Sequence, residues 1–221
     1  MVKEDYPKPA VTVDIIIFGI QDNELKVLLV KRGVEPFKGM WAIPGGFVKI
    51  NESLEDAAIR ELKEETGVGD VYLEQLYTFG GLNRDPRGRV ITAAYFALVN
   101  FEKIKLDAKT DVSEAKWFSV LKLPKLAFDH DKILKYAIKR LKWKFEYTIV
   151  AFSLLPQKFS LTQLQKIYEI VFNRKFDKRN FRKKIFSLDI LYKEGKKKDV
   201  SNRPPHLYSL KKGIGEIVEI L

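Results

Sequence analysis

The chain has 221 residues and no cysteine, so neither disulfides nor a cysteine-ligated zinc site can form. Its N-terminus, Met1-Val-Lys-Glu-Asp-Tyr-Pro7, lacks the apolar run of a secretion signal, and no stretch approaches the roughly 18 apolar residues of a membrane span. A cytoplasmic protein without membrane attachment is therefore expected. The net charge is +11, and it is unevenly placed: residues 145–221 hold 16 Lys+Arg against 8 Asp+Glu, which points that part toward a polyanionic partner.

Val11 to Phe18 is β-branched and apolar and reads as a buried strand. Gln21-Asp-Asn-Glu24 is a turn, and Lys26–Lys31 is the returning strand of a hairpin. Trp41-Ala-Ile-Pro44 is a short extended piece leading into Gly45-Gly46. Ser53 to Thr66 reads as a helix, with Ser53 and Asp56 spaced as a capping box and Gly67 as the stop. Strands follow at Val71–Phe79 and Val90–Leu98, with a shorter one at Trp117–Val120, and a helix at Asp129–Trp143. The pattern predicts an α+β domain, a mixed sheet with helices on its faces, over residues 1–147.

One segment carries chemistry. It runs Gly46-Phe-Val-Lys-Ile-Asn-Glu52, then seven residues, then Arg60-Glu-Leu-Lys-Glu-Glu-Thr-Gly-Val68. On a helix Glu61, Glu64 and Glu65 are three and four residues apart and share one face, while Ala58, Ile59, Leu62 and Thr66 form the inward face. Three neighbouring carboxylates repel one another unless a cation joins them, and such oxygen ligands suit Mg²⁺ or Mn²⁺. Arg60 lies one turn before Glu64 and is placed to pair with it. Gly45-Gly46 lets the main chain approach closely enough for a carbonyl to serve as a further ligand.

This segment is a complete Nudix box, and residues 9–145 resemble a Nudix domain. The resemblance implies hydrolysis of a nucleoside diphosphate linked to another moiety, with Mg²⁺ or Mn²⁺ bound. It implies Glu61 and Glu65 as metal ligands, Glu64 as a further ligand or the base, the Gly45 carbonyl as a ligand, and Glu52 and Arg60 as residues orienting the helix. Phe79-Gly-Gly-Leu-Asn-Arg-Asp-Pro-Arg-Gly-Arg-Val90 resembles a loop of the ADP-ribose-handling branch. There Arg84, Arg87 and Arg89, with Arg32 beside them, are candidates for phosphate or ribose, since guanidinium pairs bidentately with phosphate; the alternative is a solvated hairpin tip. Trp41, His130 and Trp143 read as packing residues.

Residues 148–221 read as a second, small domain. Phe145–Pro156 is a connection. Ser160-Leu-Thr-Gln163 is a capping box opening an amphipathic helix with Leu164, Ile167, Tyr168 and Val171 inward. After the turn Asn173–Phe176, Asp177 caps a basic helix in which Phe181, Ile185 and Leu188 face inward and Arg179, Arg182 and Lys183 outward. Lys178 and Asn180 complete its candidate DNA-reading surface. Ile190–Tyr192 and Pro205–Leu210 are two strands flanking a basic loop, with Arg203 at the wing. This is the winged helix-turn-helix plan, which also serves protein interaction in some proteins. Leu154–Gln165, Phe176–Arg182 and Arg203–Tyr208 resemble the C-terminal run of Nudix-related transcriptional regulators. That group implies a homodimer, operator DNA as partner, and ADP-ribose or a related nucleoside diphosphate as ligand. Many of its members have a damaged box, whereas this one is intact, which implies turnover as well as sensing. A housekeeping ADP-ribose or sugar-nucleotide pyrophosphatase, and a sensor without turnover, are the alternatives.

Overall fold

The computed structural model describes residues 8–67, 71–99, 112–196 and 204–221. Strands β1 (Ala10–Gln21) and β2 (Glu24–Arg32) form the expected hairpin, with Asp22 and Asn23 both at positive φ in the two-residue turn. The short strands β3 (Trp41–Ala42) and β4 (Gly45–Phe47) pair with β2 and β1 respectively. Helix α1 (Leu54–Thr66) follows, then β5 (Tyr72–Phe79), β6 (Val90–Val99) and β7 (Val112–Ser119). The sheet has the order β3-β2-β1-β6-β5, with β4 on β1 and β7 on β2. Among the described strands only the central β1–β6 pair is parallel, so the sheet is mixed.

β1 is buried from Thr12 to Gly19, and its alternation divides the core. Val13, Ile15 and Ile17 face Ala57, Ala58 and Leu62 of α1. Ile16 and Phe18 face the opposite layer, whose backbone is helix α2 (His130–Tyr147) with Ile133, Leu134, Ala137, Leu141 and Phe145 buried. β7 is longer than its sequence suggests, because its whole length pairs along β2. α2 likewise runs a full turn past Trp143. The apolar stripe continues to Phe145, fully buried and part of the helix, where a connection was expected.

A 3₁₀ segment (Ile149–Leu154) leads into α3 (Leu161–Phe172), α4 (Lys178–Ser187), β8 (Leu191–Lys196) and β9 (His206–Leu210). Both expected caps form: Ser160 and Gln163 make a reciprocal capping box, and the Asp177 side chain accepts from the Asn180 amide. β8 and β9 are antiparallel. The core does not stop where α2 ends. The rings of Phe145, Tyr168 and Phe181 form a chain across α2, α3 and α4, at centroid separations of 5.3 and 5.4 Å. The C-terminal segment then returns to the end of α2, where the amides of Val218 and Ile220 donate to the carbonyls of Tyr147 and Glu146. Among the described residues no helix is long and apolar enough to cross a membrane.

Because one core joins the sheet to the three-helix layer, the protein should unfold in a single transition by calorimetry. Phe145→Ala, which opens a cavity at the junction, should lower its stability by about 3–5 kcal/mol. Two transitions, only one of them moved by that change, would contradict a shared core. The Tyr168 hydroxyl is buried without a partner among the described residues. Tyr168→Phe should therefore leave stability unchanged or raise it by about 1 kcal/mol.

Candidate functional site

Ser53 and Asp56 form a reciprocal capping box at the start of α1, and Gly67 closes it in the left-handed conformation with its amide on the Lys63 carbonyl. The helix is rotated from the expected setting. Ala57 takes an inward place beside Ala58 and Leu62, while Ile59, expected inward, is 43% exposed. At 100° per residue, Glu61 and Glu65 then fall between Ala57 and Leu62. The carboxylates lie within the buried arc, at the edge that opens into a cleft of about 350 Å³, and do not oppose it.

Burial sets their electrostatics. The Glu65 carboxyl is pushed up to about 7, by burial first and by the charges of Glu61 and Glu64 next. Burial also raises Glu61. One oxygen of Glu65, Oε2, is buried without a hydrogen-bond partner among the described residues. The nearby cation is already committed: Arg60 donates through Nε and Nη2 to Glu52 at 3.0 and 2.8 Å, and through Nη1 to Glu61 at 2.6 Å. It also makes the ion pair expected from spacing, with Glu64 at 3.7 Å. Arg60 therefore ties α1 to the loop before it, and its hydrogen bonds hold Glu52 down to about 2. The two glycines are needed for approach. A Cβ on Gly46 would collide with the Glu61 carboxylate, and one on Gly45 with the Val13 carbonyl.

Among the described residues no three acidic or histidine side chains converge closely enough to enclose a metal by themselves. The donor set is open instead: clustered carboxylates, one with an orphaned oxygen, on a cleft wall with space before it. That fits a hard divalent cation which takes a few carboxylates and fills its remaining positions with water or ligand oxygens.

The arginines are not equivalent. Arg87 and Arg32 line the cleft. Arg84 also lines it but is buried, and its fork is taken by Asp129, at 2.9 and 3.2 Å, and by Asp14 at 3.3 Å. It clasps the β5–β6 connection to the start of α2. Arg89 turns back on its own loop, donating to the carbonyls of Gly80 and Gly81 at 2.8 and 3.0 Å, and does not line the cleft. The expected trio of phosphate ligands is thus reduced: Arg84 is buried between two aspartates and Arg89 does not line the cleft, whereas Arg87, though paired with Asp85 at 2.7 Å, is partly exposed and lines it. Sequence reading missed Asp14, Asp85, Phe47 and Phe128 as lining residues. Two left a trace: Asp14 is a lone charge inside an apolar strand, and Asp85 stands two residues before Arg87 in a turn. His130 reads as packing and is buried, yet it also lines the cleft. Its Nδ1 accepts from the Ile43 amide at 2.8 Å, and burial lowers its pKa, favouring the neutral ring.

On α4, Phe181 and Ile185 are buried, and Lys178, Arg179, Asn180 and Lys183 are exposed. Arg182 is a correction: it flanks the buried strip, half-buried, with Nε enclosed and unpartnered among the described residues. Arg203 lies outside the described residues.

The sequence matches the NUDIX domain family over residues 8–138 and the NrtR DNA-binding winged helix domain over residues 151–210. It is 39% identical over 211 residues to the ADPR responsive transcriptional repressor NtrR of Acinetobacter baylyi, spanning 93% of this chain and 84% of that protein. It is 44% identical over 139 residues to the ADP-ribose pyrophosphatase of Methanocaldococcus jannaschii, spanning 63% and 77% of the two chains. The crystal structure of Shewanella oneidensis NrtR complexed with a 27mer DNA matches with a TM-score of 0.79 at 38% identity, covering 91% of this chain and 93% of that one. The chain belongs to the Nudix family, in the branch of NrtR-type transcriptional regulators that add a DNA-binding winged helix.

A carboxyl whose pKa is raised on folding destabilises the folded state wherever the unfolded chain is ionised. For Glu65 that penalty is absent below the usual carboxylate range, grows as the pH rises to about 7, and is constant above. Glu65→Gln should therefore raise the melting temperature in EDTA at pH 8, and the gain should shrink toward pH 5. Equal melting temperatures at pH 8 would show that the charge is already compensated.

Proposed function

We propose that this protein is a cytoplasmic, homodimeric, ADP-ribose-responsive transcriptional regulator that also hydrolyses its ligand. The observation that carries the reading is a carboxylate cleft suited to a divalent cation on one side of a sheet whose other side shares its core with the helices that carry an exposed basic helix, α4. The relation to a repressor along most of both chains, and to an ADP-ribose pyrophosphatase over the first part, supports it.

In this reading the division between ligand-binding and DNA-binding parts falls after residue 147. Glu61, Glu65 and the Gly45 carbonyl would hold Mg²⁺ or Mn²⁺, with Glu64 as a further ligand or as the base that takes a proton from water. When bound, the metal supplies Lewis-acid neutralisation of the diphosphate and a lowered pKa for the attacking water. The chain's own contribution is positional. Arg60, gripping both Glu52 and Glu61, fixes the rotation of α1, and Gly46 lets Glu61 lie flat against the strand. Arg32 and Arg87 meet the anionic ligand on the opposite wall. Arg179 and Lys183, with Lys178 and Asn180, would enter the major groove, and Arg203, outside the described residues, would add a contact to the DNA.

Incubated with ADP-ribose and Mg²⁺, the protein should release AMP and ribose 5-phosphate, and Glu65→Gln should lower kcat by orders of magnitude without unfolding the chain. Inertness of the wild type toward a panel of nucleoside diphosphate derivatives would leave sensing alone. Selection from random duplexes at about 150 mM salt should recover a near-palindromic site with half-sites about one helical turn or a multiple apart. Lys183→Ala should flatten the salt dependence of binding to that site by roughly one unit of slope. ADP-ribose should shift the affinity for that duplex, and the duplex should shift ADP-ribose affinity by the same factor. If no motif is enriched, the pyrophosphatase reading is favoured.

A further inference from the structure

The cleft has two chemically unlike walls. One is the carboxylate edge of α1, which attracts a diphosphate only when a cation lies between them. The other is assembled without α1. The Asp85 side chain is 3% exposed. It accepts from the Arg87 backbone amide at 2.9 Å and from Arg87 Nε and Nη2 at 3.0 and 2.7 Å. This short turn, Asp85-Pro86-Arg87, grips the guanidinium from behind. Two rings grip it as well: the Arg87 guanidinium carbon lies 5.2 Å from the Phe47 centroid and 5.6 Å from that of Phe128. Phe128 carries a second guanidinium, Arg32, at 4.8 Å. Arg32 is held in turn by the carbonyls of Pro36, at 2.7 Å from Nε, and Val34, at 3.4 Å from Nη2.

Each guanidinium is thus fixed through Nε and Nη2, and in neither does Nη1 have a hydrogen-bond partner among the described residues. Two like charges share one ring, and burial and Arg87 together lower the Arg32 pKa. Such an arrangement gains from an anion and already has its side chains in place, so little conformational entropy remains to be lost on binding.

We propose that Asp85 and Phe47 are positioning residues which make Arg87, with Arg32, a diphosphate anchor independent of the metal, so that ligand binding and hydrolysis are carried by opposite walls of the cleft. This rests on the reading of the cleft as an ADP-ribose site. The regulator would then respond to its ligand whether or not a divalent cation is bound, and the carboxylate wall would decide only how long the ligand lasts. Phe47 serves both walls by position. It follows Gly46 in β4, so the strand that admits Glu61 also presents the ring that holds Arg87.

The test is calorimetry of binding of a non-hydrolysable methylene-bridged analogue of ADP-ribose in EDTA and in Mg²⁺, on the full chain and on Asp85→Asn, Asp85→Glu, Phe47→Ala and Phe47→Tyr, with melting temperatures recorded for each. Wild type should bind in EDTA within about tenfold of its affinity in Mg²⁺. Asp85→Asn and Phe47→Ala should weaken binding in EDTA by about tenfold or more, while Phe47→Tyr and, in part, Asp85→Glu should restore it. In the hydrolysis assay the two weakened variants should raise KM with kcat nearly unchanged, a split that mere loss of structure would not give. Binding by the wild type in Mg²⁺ but not in EDTA would overturn this inference and leave the ADP-ribose reading intact. Binding in neither would overturn both. Folded Asp85→Asn and Phe47→Ala proteins that bind in EDTA as the wild type does would also overturn it.

Discussion

The packing of α2 against the underside of the sheet is the interaction on which the rest of this structure depends. At roughly 1.5 Å per residue, its 18 residues span about 27 Å. Asp129, just before its first turn, takes the Arg84 guanidinium at the cleft. Its last turn places Phe145 against Tyr168 of α3. The same buried stripe therefore holds the cleft floor in place and seats the winged helix. A helix packed along its length moves as a unit, so cleft and winged helix share one rigid element.

Electrostatics in the cleft follow from a second constraint, the close approach of α1 to the β1–β4 pair. Glycine at 45 and 46 is what permits it. Once Glu61 and Glu65 are carried into that space they lose water, and neighbouring charge adds to the penalty, so their proton affinity rises. Arg60 offsets part of this for Glu61 but leaves an oxygen of Glu65 without a hydrogen-bond partner among the described residues. The site is built to be incomplete. Around the cleft, Asp14, Asp85 and Asp129 keep the arginines from being a simple cationic patch. Arg84 becomes structural, while Arg87 is only oriented.

Much of this was legible in the chain. The box, its capping residues, the hairpin at Asp22-Asn23 and the basic helix after Asp177 are local patterns, and local patterns survive folding because their cause is local. The errors have a common origin. Ile59 reads as inward because an apolar residue ordinarily marks the buried face, yet it is exposed. The carboxylates themselves occupy that face, since a ligand cleft replaces the core there. The Arg60–Glu64 pair that helical spacing predicts does form, at 3.7 Å, but spacing within the helix gives no sign of Glu52, from the preceding loop, which takes two shorter hydrogen bonds. Proximity in sequence groups Arg89 with Arg87, yet the two diverge where Gly88 turns the chain at φ +149.

The sequence by itself determined the secondary elements, the acidic helix with its glycine approach, and the order of a Nudix unit followed by a winged helix. Those rest on spacing within a few residues, where helix period, capping and glycine's freedom act directly. Only the tertiary structure decided which charges are spent and which are free. Asp14, Asp129 and Arg84 meet across 45 and 70 residues of separation, and the C-terminal segment closes on the end of α2. Such pairings depend on how elements stack, and a charge in sequence carries no sign of the partner that burial will bring to it.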